Sequence, residues 1–327
     1  MRRHCGRGIG FLMLVVAFSG TLNGGPALAQ TGWTWRTASP FPEARTEVSA
    51  ATDGANIYVF GGFAAGRSSP SAPTTIYRYD VAADRWSAFA ELPEGVNHAG
   101  AAIVGGRLYV IGGFHRNTFE PTAEVRILDL RTGMWRRGAP LPTARGALAV
   151  AVVGGRIHAV GGAVQGGVSV GLHDVYDPAT DRWQRLAALP RPRNHLAAAT
   201  LADRLYAIGG RDASSMRLTE ASVYDAASDS WRALAALPTG RSGIGAAVLN
   251  GRIVVLGGET EERPARTFGE AEAYEPGCNC WDRLAAMPTP RHGLGVVAVG
   301  DRIFAIAGGP APGFAYAAVN EVLAPAP

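Results

Sequence analysis

Five arginines stand three residues after a proline, at Arg45, Arg145, Arg193, Arg241 and Arg291. A guanidinium is a planar fork of donors that grips a carboxylate or phosphate at two points, so five around one concavity would form an anion site. Groups able to move protons sit in the same stretches. Glu47 follows Arg45 by two residues, His292 follows Arg291, and Asn194-His195 follows Arg193. Asn97-His98 takes the matching place where Val96 stands in the arginine slot. An imidazole titrates near neutrality, and a carboxylate beside it makes an acid/base pair. Glu47, His98 and His195 are therefore the candidate catalytic residues. The candidate ligand contacts are Arg45, Arg145, Arg193, Arg241, Arg291, His292 and Arg211. The competing reading of the arginines is architectural, since a residue that returns in every repeat can simply bond loop carbonyls of the adjacent unit.

Other chemistry is excluded more simply. All 31 basic residues are arginine, so Schiff-base chemistry and lysine nucleophiles are out. No G-x-S-x-G elbow, H-E-x-x-H pair, calcium loop or phosphate loop before a helix occurs. Cys278 and Cys280 form a C-x-C pair, too few ligands for zinc, and read as a local turn staple or two free thiols. The run Glu259 to Arg263 reads as a solvated loop, and His158 as a core residue. No metal and no cofactor is expected.

The elements that position these residues repeat. Tryptophans fall at 35, 86, 135, 183, 231 and 281, with intervals of 51, 49, 48, 48 and 50. Diglycines recur in register, from Gly61-Gly62 to Gly308-Gly309, and a Tyr-Asp or similar pair precedes most of the tryptophans. Each unit reads as four short strands, a to d. Strand a is small and apolar, a tight Gly/Asn/Asp turn follows, strand b ends in the diglycine, c ends in Tyr-Asp, and d begins at the tryptophan.

This pattern resembles the kelch repeat, over Trp33 to about Leu323. The resemblance implies an all-β, six-bladed propeller, one four-stranded blade per repeat. The expected blades are residues 45–92, 96–141, 145–189, 193–237, 241–287 and 291–324 plus 33–38. Asn320 to Leu323 matches a strand c with no strand d after it, while Trp33-Thr-Trp35-Arg-Thr is a strand d without its partners. The N-terminal strand is thus expected to complete the sixth blade and close the ring. In such a blade the b–c and d–a loops share one face. The b–c loops are the longer and more varied, so that face is the expected binding face, with the arginines around its mouth.

Residues 1–29 read as an export signal: Arg2, Arg3 and Arg7, an apolar run from Ile9 to Phe18, then Ala27-Leu28-Ala29. Without that segment, 28 arginines face 27 acidic residues, which leaves no basic excess for nucleic acid. The body has no apolar run long enough for a membrane span. The expected protein is an exported, periplasmic or extracellular monomer. It binds an acidic small molecule, glycan or protein segment. More remotely, the export signal and blade number resemble the N-acetylneuraminate epimerases. That resemblance implies an alternative as a sugar-acid mutarotase, with Glu47, His98 or His195 moving the proton. A copper radical oxidase is rejected, because both remaining cysteines fall in a c–d turn on the opposite face.

Overall fold

The computed structural model describes residues 32–64, 72–116 and 118–326. The segment read as an export signal lies outside them. The described chain forms six four-stranded antiparallel sheets. Blade 1 has strands Ser49–Thr52, Asn56–Phe60, Thr75–Asp80 and Arg85–Glu91 as its a to d. Blades 2 to 5 follow in chain order with the same a-b-c-d topology. Blade 6 is composite. Gly295–Val299, Arg302–Ile306 and Asn320–Pro325 are its a to c, and Trp33–Thr37 pairs with Asn320–Pro325 as its d. The ring is therefore closed by the amino-terminal strand, as the truncated ends of the repeat pattern imply. Closure pairs a sheet edge that would otherwise invite aggregation.

The a strands contact one another in a complete circle, each packing on the next and blade 6 on blade 1. Their small residues follow from that crowding. A Cβ on Gly100 would sit 2.2 Å from Val150 Cγ2, and one on Gly245 would sit 2.2 Å from Val296 Cγ2. Farther out the blades splay, and larger side chains fill the wedges: Tyr109, Ile111 and Ile127 of blade 2 pack with Ile157 and Tyr176 of blade 3. The six repeat tryptophans work the same way round the ring. Each indole N–H donates to a backbone carbonyl at the end of the preceding blade's strand d, from Trp35 to Ala285 at 2.7 Å through Trp281 to Ala235 at 2.9 Å. Tyr79, Tyr176, Tyr224 and Tyr274 donate to Asp84, Asp181, Asp229 and Asn279 in the c–d turns. Those turn residues in turn accept backbone amides of the preceding blade. The disulfide Cys278–Cys280 lies in one such turn, away from the b–c loops.

The repeated arginines are not at the mouth. Arg45, Arg145, Arg241 and Arg291 are 0 % exposed and Arg193 1 %, which corrects the expected ring of anion-binding guanidiniums. The backbone carbonyl of each accepts the amide of the second glycine-position residue of the preceding blade, as in Gly113 to Arg145 at 3.0 Å and Gly308 to Arg45 at 2.8 Å. Its side chain turns into its own blade. Arg291 donates to the carbonyls of Ala305, Ala307 and Thr289 at 2.7, 2.8 and 2.8 Å and pairs with Glu321. Arg241 repeats this on Val255, Gly257, Thr239 and Glu272, and Arg145 on Ala159, Gly161, Thr143 and Asp174. Carbonyls at a strand end have no ladder partner there, and buried ones must find a donor. One five-donor fork satisfies several. The architectural reading therefore holds, except that the bonds run to the residue's own blade. Blade 2 reverses the arrangement: Val96 occupies the slot, and Arg126 of strand c reaches Glu94 instead, by its backbone carbonyl at 2.8 Å and its carboxylate at 3.2 Å. Blade 6 also departs from the pattern in register. Ala307 and Gly308, not Gly308 and Gly309, take the two positive-φ positions, at 56° and 99°.

Two stability predictions follow from these burials. Arg241→Ala removes the cation that pairs with Glu272 at 0 % exposure and leaves it the Thr239 hydroxyl, so urea unfolding is expected to show a loss of about 3–5 kcal/mol. His158 and His173 form a buried pair with Nδ1 2.8 Å from Nε2. Burial and their mutual proximity push His158 down to about 3, and burial pushes His173 down to about 4. Both lie below the unfolded value near 6.5, so the unfolded chain binds the extra protons and stability drops as pH falls from about 6.5 toward 4, by about 3 kcal/mol or more. A pH series of thermal melts is expected to show that slope and to show it shallower in His158→Phe.

Candidate functional site

Each d–a loop delivers three residues to the axis: the buried arginine slot, the residue after it, and a third just before strand a. That third position has positive φ in all six blades: Glu47 55°, His98 52°, Ala147 52°, His195 52°, Gly243 65° and Gly293 58°. The cause is a hydrogen-bonded hoop around the axis. Ala147 N–H donates to His98 O and His195 N–H to Ala147 O, both at 2.9 Å. Gly243 donates to His195 and Gly293 to Gly243, both at 3.0 Å, and Val48 N–H closes the circle on Gly293 O at 3.2 Å. Glycine takes this conformation without cost. A side chain there costs of order 1–3 kcal/mol, a strain that recurs at functional sites. Glu47, His98 and His195, three of the four residues that bear it, turn their polar ends toward one another.

A second ring comes from the b–c loops. The residue after each glycine pair bridges to the residue after each arginine slot: Thr46 to Phe63, Asn97 to Phe114, Gly146 to Ala163, Asn194 to Arg211, Ser242 to Glu259 and His292 to Gly309. Those bridges place the b–c and d–a loops on one face and add Arg211, Glu259 and His292 to the cluster. Glu47 Oε2 lies 3.1 Å from His98 Nε2, and its Oε1 lies 3.4 Å from His292 Nε2. His292 Nε2 is also 3.5 Å from Glu259 Oε2. Arg211 spans the gap, with Nη2 3.0 Å from His195 Nε2 and Nη1 3.1 Å from Glu259 Oε1.

The surroundings set the charges. Burial lowers His98, more than the nearby Glu47 raises it, and burial with Arg211 alongside holds His195 well below the usual imidazole range. Burial raises Glu259, with the Glu47 charge adding to the effect. Burial would raise Glu47 too, but the field of His98, His292 and Arg211 outweighs it and keeps that carboxyl low. The basin thus gathers imidazoles, two carboxyl groups and the Arg211 guanidinium within a few ångströms of one another. Phe63 and Phe114 wall it, and Phe119 and Phe314 stand above at 56 % and 57 % exposure. Beside Asn194 and Arg211 opens a cavity of about 700 Å³, lined also by Val168, Ser169, Asp212 and Met216. A smaller hollow of about 400 Å³, lined by Arg156, His158, Gln184 and Asp203, gathers no comparable cluster.

Comparison with known proteins agrees with this architecture. The family model described as the KLHDC2/KLHL20/DRC7 Kelch-repeats domain matches residues 28–189, and the Kelch motif matches residues 192–238 and 240–288. The chain belongs to the kelch-repeat β-propeller family. The solved structure of YjhT is similar to this kelch propeller with a TM-score of 0.75, covering 86 % of this chain and 95 % of its own, at 18 % identity, a likeness of fold.

Of the residues singled out from the sequence, Glu47, His98, His195, His292 and Arg211 come together, and the five repeat arginines do not join them. Glu259, read as part of a solvated loop, is 3 % exposed and faces the basin, which corrects that reading. The signal was present in the chain: Glu259 directly follows a diglycine, the same slot that makes Arg211 a mouth residue. Phe119 and Phe314 carried no repeat signal, because they lie within the b–c loops where the repeat lapses. Kelch propellers serve as protein- or ligand-binding modules, and this face of the present one carries the groups to do so.

Proposed function

We propose that the b–c/d–a face of this kelch propeller binds a polyhydroxylated ligand, a sugar or a segment of glycan. The observation that carries this reading is the pairing of exposed rings with a polar floor. Phe314 lies 5.2 Å and Phe119 6.2 Å from Phe63, and Phe119 stands 6.1 Å from His98. A sugar ring offers an apolar C–H face to such aromatics and a rim of hydroxyls to the amides, imidazoles and carboxylates beneath. The cavity beside Arg211 is of ligand size. The acidic character expected of the ligand loses its main support with the burial of the five guanidiniums. Two carboxyl groups against Arg211 favour a neutral ligand instead. Titration calorimetry against neutral and acidic oligosaccharides is expected to show neutral ones bound, and Phe314→Ala and Phe119→Ala each weakened by about 10-fold, or about 1.4 kcal/mol. Equal binding by wild type and both variants, or tighter binding of acidic sugars than of neutral ones, would refute it.

A second reading, mutarotation of a sugar acid, is favoured by one geometric fact: Glu47 stands 3.1 Å from His98, with Arg211 nearby as the cation a ligand carboxylate needs. Anomer exchange followed by NMR on sialic acid tests it. The expected result is acceleration that Glu47→Gln abolishes, and a rate no faster than buffer removes this reading.

A further inference from the structure

The three imidazoles of the basin are all held the same way round. Asn97 donates its Nδ2–H to the Arg116 carbonyl at 2.7 Å, so its Oδ1 faces His98 Nδ1 at 2.6 Å and accepts that N–H. Asn194 donates to Ser169 Oγ at 2.7 Å and turns its Oδ1 to His195 Nδ1 in the same way. His292 Nδ1–H donates to the Gly309 carbonyl at 3.1 Å. Each ring therefore turns its Nε2 toward the basin. An amide or carbonyl oxygen fixing the far nitrogen is how proteins orient an imidazole to ligate a metal.

Around His292 the acceptors are in excess. Its Nε2 faces Glu47 Oε1 at 3.4 Å and Glu259 Oε2 at 3.5 Å, with side-chain exposures of 1 %, 13 % and 3 %. Donor atoms set 2.0–2.2 Å from one tetrahedral ion stand about 3.3–3.6 Å apart. The outer contacts hold these ligands in place. Arg211 bonds the other oxygen of Glu259 at 3.1 Å, and the Gly313 amide donates to Glu259 Oε2 at 3.0 Å. Two glycines make the room. A Cβ on Gly309 would stand 2.4 Å from His292 Cε1, and one on Gly293 2.6 Å from Glu47 Cδ.

We propose that His292 Nε2, Glu259 Oε2 and Glu47 Oε1 bind one divalent transition-metal ion of the zinc class, leaving a coordination position open toward the mouth. One nitrogen and two carboxylate oxygens suit Zn²⁺ or Co²⁺, and an open position marks a site that works on a ligand rather than one that only braces the fold. The rival occupant is a proton, shared as an imidazolium between two carboxylates. The proposal does not depend on the sugar reading, since an ion can bind with sugar affinity absent and the reverse.

The test uses the full chain, stripped with chelator, then titrated with Zn²⁺ by calorimetry and with Co²⁺ by visible absorption. The expected result is one ion per chain and the visible bands of a low-symmetry cobalt site. His292→Ala and Glu259→Gln are expected to weaken binding 100-fold or more. Gly309→Ala keeps every ligand but crowds His292, and is expected to cost about 10-fold. His115→Ala, a loop histidine outside the basin, should bind as wild type does. Thermal melts check that each variant folds. If His292→Ala does not fold, wild-type stoichiometry and Gly309→Ala decide. Wild type that takes up no ion, in which the three groups share a proton, overturns the proposal. So does equal affinity in wild type and the folded variants. Sugar titrations on the stripped protein, run separately, report on the earlier reading alone.

Discussion

The ring depends on a buried guanidinium that faces two ways at once. In five blades the backbone carbonyl of the arginine accepts an amide from the glycine pair of the blade before, and its side chain saturates strand-end carbonyls of its own blade. A propeller has this problem at every blade, because the inner strands end where the chain must bend outward, in a place too crowded for water. Five fixed donors on one planar group answer it at a single residue, and arginine keeps its charge even when burial lowers its pKa. Where the cation meets Asp174, Glu272 or Glu321, the pair is neutralised inside the blade. Among the described residues Arg193 meets no such carboxylate within ion-pair distance, and it is pushed down to about 10 by burial. In blade 2, with Val96 in the slot, Arg126 reaches the backbone carbonyl of Glu94 on the d–a loop from strand c.

The same three-residue stretch that hides the arginine exposes the chemistry. Two residues on, the backbone is forced to positive φ so that its amides and carbonyls can join hands around the axis. Gly243 and Gly293 show what that conformation prefers. Glutamate at 47 and histidine at 98 and 195 are costly choices for the fold, and all three converge on one spot. Packing cannot explain them, since Ala147 fills the equivalent place in blade 3 with a single methyl group. Strain accepted three times in one basin separates residues kept for what they do from residues kept for how they fit.

That division also governs what could be read from the chain. Closure by Trp33–Thr37, the blade topology and the loop-rich face followed from the repeat alone, since periodic packing demands periodic residues. Glu47, His98, His195 and His292 were visible for the opposite reason: they interrupt two adjacent slots, the first three where Ala147, Gly243 and Gly293 stand and His292 where Thr46, Gly146 and Ser242 stand. The arginines mislead because their repetition suggests a ring of ligand contacts, whereas a residue that each blade needs equally is more simply part of each blade. Glu259 was hidden by its acidic neighbours Glu261 and Glu262, which are what a solvated loop looks like. Only its place beside the diglycine set it apart. Ala307 taking the first glycine position could not be foreseen from Gly308-Gly309, because the pattern offers two registers and only the amide of Gly308 on Arg45 chooses between them.

Blade 6 shows why the register matters for the site. Moving the glycine pair back by one residue leaves Gly309 where the other blades put Phe63, Phe114, Ala163, Arg211 or Glu259. The space that such a side chain would fill is taken by the ring of His292, whose Nδ1–H bonds the Gly309 carbonyl. In the neighbouring blade the exchange runs the other way: small Ser242 and Gly243 on the d–a loop leave room for Glu259 to reach in from the b–c loop. In these two blades the loops trade volume, one giving way where the other projects, so six nearly identical units can present an asymmetric group of acids, imidazoles and one guanidinium at a symmetric axis. A repeat scaffold specifies its chemistry in this way, by which of two facing positions is left empty in each blade.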